Sequence, residues 1–146
     1  MVHATISMPE TEPDRTLALG ELRLACSKAR TTQFAEISVD RNDFPTLYAL
    51  INGDRGWLML LRYEGDAGFS SRSSDDPSSD EMLDFQLGNG QVDKYPRKWT
   101  LPTDEVLSAL QQFALTGLVP ETIAWFNDSG DGTSGPNDRS FSISEP

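Results

Sequence analysis

One cysteine and one histidine are all that this chain of 146 residues holds of the side chains most often used as nucleophile, general base or metal ligand. A lone Cys26 closes no internal disulfide, so nothing calls for an oxidising compartment. It stands on the inner face of an expected helix, where a free thiol behaves as a small apolar group. Lys28 and Arg30 are the only nearby charges that could activate it. His3 falls in an N-terminal lead expected to be flexible, and a general base needs fixed geometry. Positive charge is scarce as well: 12 Lys and Arg face 23 Asp and Glu, a formal net charge of −11. Nucleic acid and anionic membrane would both be repelled, which excludes direct binding to either. The acidity fits a basic partner, and it fits a merely well-solvated acidic surface equally. No run approaches the roughly 20 apolar residues of a membrane helix. Residues 1–15 carry Pro9, Glu10, Glu12, Pro13 and Asp14 without the apolar stretch of a secretory signal, so a cytoplasmic protein is expected. Glycine-rich phosphate loops, serine nucleophile elbows and paired-cysteine metal motifs are missing too.

What is present suffices for one domain with a core of its own. The composition predicts a flexible lead over 1–15, a single α+β domain over 16–126 and a flexible tail over 127–146. Leu22, Ala25, Cys26 and Ala29 form one face of a helix over 17–29. Ala35, Ile37 and Val39 alternate with polar residues, which predicts a strand over 34–39. A turn at Asp40–Pro45, a second strand over 46–51, a hairpin at Asn52-Gly53-Asp54-Arg55-Gly56 and an apolar strand over 57–63 follow. Residues 64–81 then read as a long acidic Ser/Asp loop.

Beyond that loop, Leu83, Phe85 and Leu87 alternate, Gly88-Asn89-Gly90 permits a tight turn, and a strand returns to Pro96. Thr100 or Thr103 is placed to cap a helix, with Asp104 and Glu105 at the positive end of its dipole. Val106, Leu107, Leu110, Phe113 and Ala114 make its apolar stripe, and Gly117 and Pro120 stop it. Ile123 to Phe126 closes the domain as a short strand. The sum is an α+β fold with a mainly antiparallel sheet of about five or six strands and two helices.

Three groups of residues are candidates for chemistry or binding. Glu64, Asp66, Asp75, Asp76, Asp80 and Glu81 crowd the polar loop. They could serve as an acid–base pair, a partner-binding surface or plain solvated charge, and no regular element fixes the spacing of any two. Asn127, Ser129, Asp131, Gly132, Thr133 and Asp138 occupy positions of a calcium-loop pattern. The first position is Asn, the last is the short Asp, Pro136 interrupts, and no helix flanks the loop, so a metal site is not assigned. Trp57, Trp99 and Trp125 read as core or core-edge residues, with Trp99 between basic neighbours and a candidate for exposure.

The runs Gly56-Trp57-Leu58-Met59-Leu60-Leu61-Arg62-Tyr63, Gly65-Asp66-Ala67-Gly68-Phe69-Ser70-Ser71 and Phe85-Gln86-Leu87-Gly88-Asn89-Gly90-Gln91-Val92-Asp93-Lys94-Tyr95-Pro96 follow one another in order. The helix ending Phe113-Ala114-Leu115-Thr116-Gly117, then Pro120 and Ile123-Ala124-Trp125, completes the set. Together, over roughly 34–126, they resemble the first-numbered immunity-protein family of bacterial polymorphic toxin systems. The resemblance implies a cytoplasmic antidote that binds one cognate toxin domain, one to one, without catalysis or cofactor. It further implies a toxin of the nucleic-acid deaminase class, especially one acting on cytosine in DNA. A basic groove on such a toxin would suit an acidic inhibitor, with Glu64, Asp66, Asp75, Asp76, Asp80 and Glu81 as the expected contact residues. Two other readings stand beside it: a small hydrolase or metal-dependent enzyme using loop carboxylates, and an acidic mimic of nucleic acid.

Overall fold

Two strands occupy the segment where the composition predicts an unstructured lead. A computed structural model describes residues 2–8, 12–17, 19–73 and 80–138. In it β1 (Val2–Met8) and β2 (Glu12–Leu17) pair antiparallel, with an irregularity between Ile6 and Met8. Val2, Ala4 and Ile6 alternate with His3, Thr5 and Ser7, a period-two pattern that the prolines and acids just downstream obscure. Helix α1 (Leu19–Ala29) follows, and Leu22, Ala25, Cys26 and Ala29 are buried as the spacing predicts.

The centre of the sheet is β3 (Phe34–Arg41), β4 (Thr46–Asn52) and β5 (Arg55–Leu61), joined in antiparallel register. Strand β1 extends the sheet on the far side of β3. The expected 64–81 loop is interrupted by a strand, β6 (Phe69–Arg72), which pairs with β5. Only Phe69 in it is apolar. Ser71 makes up for its polarity by donating to Trp99 O at 2.8 Å and accepting from Leu58 N at 3.1 Å. A strand held by buried hydroxyl bonds leaves no hydrophobic period to read. Gly68 precedes it at φ +71°, and a Cβ there would lie 2.0 Å from Leu60 O, so only glycine fits.

Strands β7 (Met82–Gln86) and β8 (Val92–Pro96) form the expected hairpin, as a separate two-stranded ribbon. A 3₁₀ turn (Arg97–Trp99) and the two-residue β9 (Leu101–Pro102) lead into α2 (Thr103–Thr116). Neither candidate threonine caps α2 through its side chain. Thr103 Oγ1 donates to Gly53 O at 2.8 Å and Thr100 Oγ1 to Arg97 O at 2.7 Å, because both hydroxyls tie the helix start to neighbouring turns instead. Gly117, at φ 78°, ends the helix by donating to Phe113 O, and Arg41 Nη1 reaches Ala114 O at 2.9 Å. Strand β10 (Ala124–Asn127) then pairs with β6.

The main sheet runs β10-β6-β5-β4-β3-β1-β2, with β9 on β5. Both helices cover one face. There Ile37, Leu47, Leu58, Leu60, Leu107, Leu110 and Phe113 belong to one continuous buried cluster. The hairpin crosses the other face, where Leu50, Trp57 and Phe85 make a small separate cluster. This is an α+β fold with two helices and a mainly antiparallel sheet. Among the described residues no helix is long and apolar enough to cross a membrane.

Candidate functional site

Arg62 follows the apolar run of β5 and ends up with its side chain fully buried. A guanidinium has five donors and no way to shed its charge, so such burial demands a complete set of acceptors. Asp66 supplies two of them. Its Oδ2 accepts from Arg62 Nε at 2.7 Å and from Arg62 N at 2.9 Å, and its Oδ1 accepts from Arg62 Nη2 at 2.8 Å and Gly68 N at 3.0 Å. The rest come from the segment after β10. Asp131 Oδ2 lies 2.9 Å from Nη1, Ser129 Oγ accepts from Nη2 at 3.0 Å, and Thr133 Oγ1 accepts from Nη1 at 3.2 Å. The Phe69 ring packs against the same guanidinium, 5.1 Å from its carbon.

Within the segment expected as a tail, the calcium-like residues Ser129, Asp131 and Thr133 gather around an arginine that stands where a cation would. Asn127 braces that loop by accepting from Ser129 N and donating to Asp131 Oδ1. Asp138 accepts from Ser134 Oγ at 3.4 Å. Among the described residues no three of His, Cys, Asp and Glu converge as a metal site.

The electrostatics follow from the geometry. Burial alone would raise the Asp66 carboxyl, but the Arg62 bonds and the two backbone donors outweigh it and hold the group below the usual carboxylate range. Arg62 is pushed further up, chiefly by its hydrogen bonds to Asp66. Asp131 is held low by the bonds from Asn127 and Thr133.

The six loop carboxylates therefore separate. Asp66 is committed to Arg62 and is not offered to a partner. Glu64, Asp80 and Glu81 are exposed, and Glu81 also pairs loosely with Arg97 at 3.9 Å. Asp75 and Asp76 lie outside the described residues. His3 belongs to β1, opposite Asp40, rather than to a free lead, and its side chain lies outside the described residues. Cys26 is buried, and burial pushes its thiol up to about 11 against the opposing charge of Arg30, so it is no nucleophile.

Of the tryptophans, Trp57 is buried and stacks on Tyr95, with ring centroids 4.4 Å apart and planes within 12°. Trp125 is half-buried and donates to Pro120 O. Trp99 is half-buried between Tyr95 and Arg72, whose guanidinium carbon sits 4.3 Å above its ring and 4.6 Å from that of Phe126. An open cleft of about 460 Å³ at the start of α2 is lined by Arg30, Arg55 and Arg97. All three cations are engaged, with Asp104, Thr100 and Glu81 respectively.

Sequence reasoning missed Arg62 and Arg72. The signal for Arg62 was present: a lone cation at the end of an apolar strand, with an aspartate four residues on. Arg72 left no such trace, because its ring partners come from distant segments.

Among the described residues Asp66 and Cys26 are buried, and Asp66 and Asp131 are satisfied by Arg62 and its neighbours. The family model described as immunity protein Imm1 matches residues 16–127, from the end of β2 through β10. This chain belongs to the Imm1 immunity-protein family, and its function is immunity against a toxin that it binds. No curated protein matches the chain.

Proposed function

We propose that the toxin is a nucleic-acid deaminase acting on cytosine in DNA. One copy of this chain, in the cytoplasm, covers the substrate entrance of one toxin domain with an acidic surface. The observation that carries the reading is a net charge of −11 on an immunity-family chain whose Glu64, Asp80 and Glu81 stand exposed around the 64–81 segment. A deaminase needs a positive groove for its strand and a pocket for the target base. Opposite charge on the inhibitor speeds encounter with that groove and disfavours wrong partners. Asp75 and Asp76 extend the same acidic segment in the sequence, whereas Asp66 takes no part in it.

The test is co-purification with the toxin domain encoded beside this chain, followed by a cytosine-deamination assay with and without it. A one-to-one complex and loss of deamination are expected. Changing Glu64→Gln, Asp80→Asn and Glu81→Gln together should slow association and flatten its salt dependence. A complex with a toxin of other chemistry would discard the deaminase. Unchanged association kinetics in the triple variant would discard the acidic segment as the contact.

A further inference from the structure

The hairpin covers only half of its sheet face. Strand register places Ser38, Tyr48, Met59, Ser70 and Phe126 in one row across five strands. Asp40, Thr46 and Leu61 form the row beside it. The covered row, Glu36, Leu50 and Trp57, lies on the other side under Phe85 and Tyr95. In these rows Ser70 is buried, Tyr48 and Met59 are half-buried and lean on the hairpin cluster, Leu61 is half-buried, and Phe126 is 51% exposed.

The charge around these apolar groups is mostly negative. Glu36 accepts from the Tyr48 hydroxyl, Asp93 approaches the Tyr95 hydroxyl, and Asp40 stands two residues from Ser38 on the same face. Asp128 accepts from Ser70 Oγ at 2.6 Å. Arg72 is the cation among them; it ion-pairs with Asp128 at 3.9 Å and is spent on the rings of Trp99 and Phe126. Asp40, Asp93 and Asp128 edge the apolar row, while Glu36 is spent on Tyr48 and Gly88 under the hairpin; this edge matches a protein surface that presents an apolar side chain ringed by lysine and arginine. The opposite face offers no such site, because α1 and α2 close it.

We propose that the open rows, centred on Tyr48, Met59 and Phe126, are the surface on which the toxin domain docks. The inference rests on reading that toxin as basic. Interfaces draw most of their affinity from a few apolar and aromatic groups inside a polar rim, which is the arrangement here.

The experiment measures binding of the full chain to the toxin domain encoded beside it, by calorimetry. Variants are Phe126→Ala, Met59→Lys and, on the outer face of α2, Leu115→Lys, where Leu115 is 72% exposed. Thermal unfolding of each confirms its fold, and Phe126→Ala, at an exposed site, carries the test should Met59→Lys unfold. Phe126→Ala and Met59→Lys should each weaken binding at least about 30-fold, while Leu115→Lys leaves it unchanged. Wild-type affinity in folded Phe126→Ala would overturn the surface. Weakened binding to a toxin that proves not to be a deaminase would uphold the surface and remove only the deaminase. Failure of the wild-type chain to bind would overturn both.

Discussion

The two faces of the main sheet are built differently. The helix-covered face is mainly aliphatic and continuous, with Ile37, Leu47, Leu58, Leu60, Leu107 and Leu110 fully buried. The opposite face is aromatic, partly covered and edged with carboxylates, and its buried apolar cluster is Leu50, Trp57 and Phe85. Among the described residues the buried side-chain donor without a partner, Trp57 Nε1–H, also belongs to this second face. An unpaired buried donor costs about 1–3 kcal/mol, which a domain tolerates more readily where packing is not its main support. One face holds the fold and the other has surface to spare for a partner. Mutations should separate them.

The largest loss is expected from Phe113→Ala on the helix side. Emptying a fully buried ring site costs about 3–5 kcal/mol, read as a lowered urea midpoint. Arg62→Ala should follow at about 3 kcal/mol, since it strands the buried Asp66 and releases the loop through Asp131. The pair also sets an acid limit. Asp66 is ionised more readily in the fold than in the unfolded chain, so its stabilisation is present above about pH 4 and is lost as pH falls below that. Denaturation curves of Asp66→Asn should show a flatter acid limb than the parent.

On the second face, Tyr95→Ala should cost about 2 kcal/mol, and hydrogen exchange should show the hairpin opening while α2 stays protected. Equal deprotection of α2 would mean that the faces are not separable. The smallest effect concerns Cys26. Its thiol ionises at about 11 in the fold against 9.0 ordinarily, so the associated stabilisation holds below pH 9 and fades as pH rises from 9 toward 11. Cys26→Ala should abolish that slope, and the native thiol should resist alkylation at pH 8 until urea unfolds the chain.

The same contrast explains what could be read from the sequence. The helix side announces itself by period: Leu22, Ala25, Cys26 and Ala29, then Ile37 and Val39, then Val106, Leu107, Leu110 and Phe113 are all buried where spacing puts them. The hairpin was legible too, through Leu83, Phe85 and the Gly88-Asn89-Gly90 turn. Strand β6 was not, because hydrogen-bonded serines do the work of apolar residues. Neither were the contacts of Ser129 and Asp131, whose partner is an arginine more than 65 residues earlier rather than any local pattern. Among the loop acids, Asp66 looks like Glu64 in composition, and only the position of Arg62 assigns one to the interior and the other to the surface.

Hydroxyl-radical footprinting of the chain, alone and with its toxin domain, compares the faces without altering either. Tyr48, Met59 and Phe126 should lose reactivity on binding, while Leu24 and Leu115 on the helices keep theirs. Protection of Leu24 and Leu115 with Tyr48, Met59 and Phe126 still reactive would contradict the division of the molecule into a supporting face and a binding face.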